Sequence, residues 1–264
     1  MDYQKFAAQH HLAIEIQDRI AVVRMNRPEK RNAVNLAMHR GLEEIWHPLG
    51  TDPDVGAIVL AGEGKGFCAG GDLVDFYPAN PTPFDMIRPS RRLVIEMINC
   101  EAPVVAAVQG VAAGLGATLA LLCDIIYAAD DARIGDTHVG MGMVAGDGGA
   151  VIWPLLVGPH RAKEMLMGSE LVPGPRAAEM GLVNHCVPAA ELMDRAIAHA
   201  KKLAAAPPIA LRWTKMILNQ HVRQSMNLVM DSGIAIELLS CNTEDFREAG
   251  KAFVEKRKPV FRGR

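Results

Sequence analysis

The five cysteines, Cys68, Cys100, Cys123, Cys186 and Cys241, lie in separate segments and form neither a C-x-x-C pair nor a disulfide-like framework. That usage fits a reducing compartment. No run reaches the roughly 18 uncharged apolar residues that a membrane-spanning helix needs. The opening MDYQKFAAQHHLAIEIQ also lacks a basic start followed by an apolar h-region. A soluble cytoplasmic protein is the expectation. Charge of one sign is missing too: 28 lysines and arginines against 30 aspartates and glutamates give a net charge of −2, with no long like-charged run. This gives no reason to expect nucleic acid or an anionic membrane as partner. H-E-x-x-H and Cys/His clusters are absent, so no metal is expected. Internal repeats, low-complexity tracts and coiled-coil heptads are absent as well.

At 264 residues, half of them apolar, the chain can bury a substantial core as one α/β domain with a helical appendage. Two β-like runs, LAIEIQ (12–17) and IAVVRM (20–25), flank a charged Asp-Arg pair that suits a hairpin turn. The spacing of Leu36, Met38, Leu42, Ile45 and Trp46 predicts an amphipathic helix over 35–49, with Asn35 as N-cap. GAIVLAG (56–62), APVVAAVQG (102–110) and CDIIYAA (123–129) read as short buried strands. Helices are expected around 90–99 and within AAGLGATLALLCD (112–124). Alternation of this kind favours a layered α/β core with crossover connections. Beyond LVNHCVP (182–188) the pattern is almost wholly helical, with breaks expected between PPIALRWTKMILNQ, a helix around 223–240, and TEDFREAGKAFVEK. The division is therefore expected at residue 190: an α/β core over 1–190 and a helical region over 191–264.

Two glycine-bearing loops follow apolar strands: GFCAGGDL (66–73) and GVAAGLGATLAL (110–121). If those strands are neighbours, the loops leave the same edge of the sheet. The second runs straight into a helix, whose first N–H groups are unpaired at the positive end of the helix dipole. Both loops could then offer backbone donors to one anionic or polarised oxygen. A third stretch, GDTHVGMGMVAGDGG (135–149), holds one histidine, two aspartates and six glycines. GLGATL (114–119) and GMGMVA (140–145) only brush against a dinucleotide fingerprint, since neither has its full pattern or placement.

Taken together, NRPEKRNAV (26–34), GFCAGGDL, APVVAAVQGVAAGLGATLALLCDIIYAA (102–129), GDGG (146–149), GLVNHCVP (181–188) and AFVEKRKPVF (252–261) resemble the enoyl-CoA hydratase/isomerase (crotonase) superfamily over nearly the whole chain. The resemblance implies a repeated ββα spiral core and a C-terminal helical region that assembles a homotrimer or a dimer of trimers. It also implies a coenzyme A thioester as substrate, with no separate cofactor. The thioester carbonyl would bind between the amides of Gly71 and Leu115. Lys30, Ala33, Ala69, Gly70 and Asp72 fall at substrate-binding positions, and Lys256 matches a residue that can reach coenzyme A from an adjacent subunit. Arg27 and Arg31 suit phosphate pairing, or simply a solvated face.

The sequence departs from the family pattern where hydratases carry two glutamates: those positions hold Thr118 and His138. Threonine can position a water or substrate oxygen, or bond back to its own helical turn. Histidine suits proton transfer near neutral pH. Asp147 lies at or beside the position of a catalytic aspartate in some members, and is alternatively an N-cap for the apolar run that follows. Met86, Met97, Met141 and Met143 are candidates for an acyl pocket, as is the proline- and aromatic-rich 74–90 segment. Serine hydrolysis, which distant relatives perform, is excluded because the five serines, at 90, 169, 225, 232 and 240, lie away from the oxyanion helix. The expected function is hydration or isomerisation of an enoyl-CoA through an enolate. A one-base reaction such as decarboxylation and a non-catalytic acyl-CoA-binding trimer are the alternatives.

Overall fold

A computed structural model describes residues 1–72 and 83–264, with side chains for all of these except 83–87. It opens with helix α1 (Tyr3–Gln9) and the hairpin of β1 (Leu12–Gln17) and β2 (Ile20–Met25). Asp18 and Arg19 turn the hairpin at φ 52° and 64°, the left-handed conformation that a tight two-residue connection uses. Helices α2 (Leu36–Glu44) and α3 (Trp46–Thr51) occupy the span expected to be helical. The Asn35 side chain accepts from the Met38 N–H at 2.9 Å, as an N-cap should.

The core is then wound from strand–strand–helix turns. Strand β3 (Ala57–Gly62) is followed by helix α4 (Pro83–Asn99). Strands β4 (Val104–Val108) and β5 (Val111–Ala113) lead into α5 (Leu115–Leu121), and β6 (Ile125–Ala129) and β7 (Arg133–Gly135) lead into α6 (Gly149–Gly168). Strand β8 (Val172–Pro173), helix α7 (Gly174–Glu179) and strand β9 (His185–Val187) complete this part. One sheet has the order β1-β2-β3-β4-β6-β9, parallel from β2 onward; a second has the order β5-β7-β8. Every residue of β3 and β4 is buried, which explains their unbroken apolar sequence: parallel strands covered on both faces show no alternation. The expected spiral of ββα turns is the observed fold.

The helix expected within 112–124, past its glycines, starts at Leu115. Val111–Ala113 is drawn into pairing with β7, and Gly114 at φ 52° turns the chain between strand and helix. The tail after 207 holds one continuous helix where a break was expected. NQHVRQS contains no helix breaker, and α9 runs unbroken from Pro208 to Ser240, after α8 (Leu192–Ala204) and before α10 (Glu244–Val254).

Helix α8 buries Leu192, Ala196, Ala200 and Ala204 along one stripe and packs on β2, β3, β4 and β6. Helix α9 is fixed to the core by Lys215, whose buried ammonium lies 2.7 Å from Asp124 and donates to the Ala102 carbonyl at 2.8 Å. The five cysteines are free thiols. Among the described residues, no helix is long and apolar enough to cross a membrane.

Candidate active site

Ala113 of β5 pairs with Gly135 of β7, so the segments that follow, 114–115 and 136–138, leave adjacent parallel strands at the same end. The Gly114 N–H donates to the Gly135 carbonyl at 2.9 Å. On the other flank of β5, Cys68 bridges Ala112, and the Ala113 N–H donates to the Cys68 carbonyl at 2.9 Å. Three loops therefore run side by side. Glycine permits this: at Gly70, with φ 98°, a β-carbon would lie 2.9 Å from the Ala113 carbonyl oxygen, and at Gly116 one would strike the Cys68 backbone.

Leu115 is the first residue of α5, so its N–H has no intrahelical acceptor. Gly71 sits in a parallel bridge with Val34. The Val34 N–H donates to the Gly70 carbonyl at 2.8 Å, and the Val34 carbonyl accepts from the Asp72 N–H at 2.9 Å. In such a bridge the amide of the central residue, Gly71, is left on the opposite edge of its segment.

Beyond these amides lies a buried acid–imidazole cluster. His138 Nδ1 is 2.7 Å from Asp136 Oδ1, which also accepts the His138 backbone N–H at 3.0 Å. On its other side, His138 Nε2 faces Asp147 Oδ2 at 3.6 Å. All three residues are buried. Burial by itself lowers the basicity of His138, but the charges of Asp147 and Asp136 outweigh it and hold the imidazole well above its ordinary value. With a carboxylate facing each ring nitrogen, the favoured species is imidazolium. Asp147 is raised, chiefly by burial, with His138 opposing the rise and Asp136 adding to it.

Asp147 does not cap α6: the N-cap is Gly148, at φ 144°, and no side chain bonds there. One Asp147 oxygen, Oδ1, is buried with no hydrogen-bond partner, as are Asp136 Oδ2 and the Thr118 hydroxyl. Thr118 thus does not bond back to its own turn. It packs against Gly148, where a β-carbon would lie 2.5 Å from its Cγ2. Asp136 Oδ2 lies so close to Gly149 that no side chain fits there, which sets that carboxylate at the positive end of α6.

The segment 27–33 lies along the first loop. The Ala69 N–H donates to the Arg31 carbonyl at 3.0 Å, and Arg27 donates to the Ala33 carbonyl at 2.6 Å and to Asp72 at 2.9 Å. That inward guanidinium replaces the phosphate-facing role expected of Arg27; Lys30 and Arg31 remain exposed. Lys256 sits just past α10 at φ 52°, exposed. An apolar cavity of about 470 Å³ opens beside the 139–145 loop, lined among others by Val139, Met143, Val144, Leu166 and Met167. Met97 is core and Met141 is partly buried. The side chain of Met86, and residues 74–82 of the segment expected to shape the acyl pocket, lie outside the described residues.

Residues 15–264 match the family model described as enoyl-CoA hydratase/isomerase. The chain belongs to the enoyl-CoA hydratase/isomerase family. It is 33% identical over 258 residues to a 2,3-dehydroadipyl-CoA hydratase of Escherichia coli (strain K12), covering 96% of this chain and 99% of that one. To a 1,2-epoxyphenylacetyl-CoA isomerase of the same organism it is 32% identical over 254 residues, covering 94% and 97%. A crystal structure of an enoyl-CoA hydratase/isomerase from Mycobacterium paratuberculosis superposes with a TM-score of 0.87 at 36% identity, covering 92% of this chain and 98% of that one.

Two residues of this family chain carry no expected role from sequence yet stand in the cluster. Asp136 is two positions before His138, directly after a strand, and the D-x-H spacing was a usable signal. Glu237 is not: it lies on α9, 90 residues downstream of Asp147, and accepts the Gly146 N–H at 3.1 Å.

Proposed function

We propose that the chain is an enzyme that moves a proton on the acyl part of an enoyl-CoA thioester, a double-bond isomerisation through an enolate with Asp147 as base. The observation that carries this reading is the Asp147 carboxylate, buried, 3.6 Å from His138 and with one oxygen unpartnered. A general base works best when its proton affinity lies near the operating pH, and burial moves Asp147 in that direction.

In the proposed reaction Asp147 takes the proton from C2 of a 3-enoyl thioester, the C3–C4 double bond shifts to C2–C3, and the same carboxyl group returns the proton to C4. Negative charge in the intermediate resides on the thioester oxygen, between the amides of Gly71 and Leu115. Each such donor is typically worth about 3 kcal/mol. His138, held from behind by Asp136, keeps positive charge beside Asp147. Thr118 offers its unpartnered hydroxyl to a water or a substrate oxygen. The substrate's coenzyme A portion would lie along 27–33 and 69–72, with Lys30 and Arg31 toward its phosphates and Ala33, Ala69, Gly70 and Asp72 beside its chain. No separate cofactor is required.

Relatives are named for both hydration and isomerisation. Hydration needs two groups to activate and deliver water. Here the two hydratase positions hold Thr118 and an imidazole engaged on both nitrogens, so the one-base reaction is preferred. Decarboxylation is disfavoured because a substrate carboxylate would enter beside Asp136, Asp147 and Glu237. A protein that merely carried acyl-CoA would gain nothing from burying these carboxylates around one imidazole, an arrangement that costs stability.

For assembly we propose a homotrimer or a dimer of trimers, with residues 191–264 as the associating region and Lys256 reaching the neighbouring subunit's coenzyme A. Exposed Trp213, Met216, Ile217, Leu218 and Leu228 on α9 support an associating surface.

The test is a comparison of 3-enoyl-CoA isomerisation with 2-enoyl-CoA hydration on the same thioester panel, products resolved by NMR. Isomerisation as the faster reaction supports the reading. Faster hydration, or binding without either reaction, overturns it.

A further inference from the structure

Helix α9 holds the catalytic loop through three positions on one face, Gly233, Glu237 and Ser240, spaced i, i+4, i+7. The Gly146 backbone lies directly on the Gly233 carbonyl, too close for a side chain on Gly146. Glu237 Oε2 accepts the Gly146 N–H at 3.1 Å, and Ser240 Oγ accepts the Val144 N–H at 3.1 Å. Asp147 is the next residue along, so its position is set by a helix from the far end of the chain.

We propose that Glu237 is a positioning residue for Asp147: from α9 it fixes the 144–147 loop through the Gly146 N–H and shares the excess proton with Asp147 on the Nε2 side of His138. The inference rests on the reading of Asp147 as the base. Its physical ground is charge crowding. Glu237 interacts through charge with Asp147, Asp136 and His138, Cys241 at the end of α9 interacts with Glu237, and His39 of α2 interacts with Asp147. One imidazolium, already paired with Asp136, cannot offset two further buried carboxylates, so one of them holds a proton. Burial and the charge of Asp147 push Glu237 up to about 8, so it competes with Asp147 for that proton at neutral pH. Ionised there, it would pull Asp147 toward its protonated, inactive form.

The test reads the carboxyl group directly. In protein labelled with 13C at glutamate Cδ, the Glu237 signal, assigned by its loss in Glu237→Gln, should titrate near pH 8. In Asp147→Asn it should titrate lower, because the repelling charge is gone. This readout needs no turnover, so it fails or holds independently of the proposed reaction. In turnover, Glu237→Ala should lose about tenfold to a hundredfold at pH 7 through a misplaced loop. Glu237→Gln, which keeps the acceptor for Gly146, should restore most of that rate and remove the fall in rate above pH 8. A Glu237 signal that titrates in the ordinary carboxylate range near 4.5, or that ignores Asp147→Asn, overturns the proposal. So does a Gln variant that retains the alkaline fall.

Discussion

Asp136 and Asp147 grip the two nitrogens of one buried imidazole, at 2.7 Å on Nδ1 and 3.6 Å on Nε2 of His138. The shorter contact is a charge-assisted hydrogen bond that fixes the ring. The longer one is a facing charge, loose enough for Asp147 to turn toward a substrate. In the proposed reaction the two carboxylates divide the work: one orients His138, and the other exchanges a proton with the substrate.

Asp136→Asn keeps the shape of the site and removes one of the two charges that hold His138 positive. The imidazole should then titrate lower than in the wild type, measured by its ring signals in NMR. Turnover should drop by up to about a hundredfold as the ring loses its fixed orientation. An unchanged His138 titration would show that Asp136 does not set the charge of the ring.

Thr118→Val should separate stability from activity. The hydroxyl is buried without a partner, and such a group costs about 1 kcal/mol or more. The valine variant should melt at a higher temperature while turning over more slowly, as seen by calorimetry and by the isomerisation assay. A variant less stable than wild type with full turnover would mean that the hydroxyl is satisfied within the fold.

Stability should fall as pH rises from 5 to 8. Glu237 moves from an ordinary value of 4.5 to about 8 in the fold, so between those limits the native state holds a proton that the unfolded chain has released. Raising pH through that window then favours unfolding. His138, raised well above 6.5, acts in the same sense: the native imidazolium stabilises below the unfolded value, and the benefit is lost as pH passes the native one. Each group contributes no more than about 1.4 kcal/mol per pH unit. Melting curves across pH should show this slope, and Glu237→Gln should flatten it; a flat wild-type curve would contradict the charge assignments.

Much of the fold could be read from local signals: the DR hairpin, the Asn35 cap and the uniformly apolar β3 and β4 all behave as their sequences predict. Elements whose form depends on pairing could not. Val111–Ala113 becomes a strand only because β7 and Cys68 flank it. The candidate site was legible along the chain where its residues cluster, in GFCAGGD, GLG and GDTHVG. It was illegible where the partner is remote: nothing local in α9 marks Glu237, and the Arg27–Asp72 ion pair spans 45 positions. The N-cap reading of Asp147 failed because Gly148, at a φ that side chains avoid, takes the cap itself.

The central claim, that Asp147 exchanges a proton with the carbon next to a thioester, is tested most directly by α-proton exchange of a saturated acyl-CoA such as butyryl-CoA in D₂O. Wild-type protein should wash deuterium into C2. Asp147→Asn should bind the thioester with little change by calorimetry and exchange at least about a hundredfold more slowly. Undiminished exchange in Asp147→Asn, or a wild type that binds butyryl-CoA and leaves its C2 protons untouched, would contradict the account.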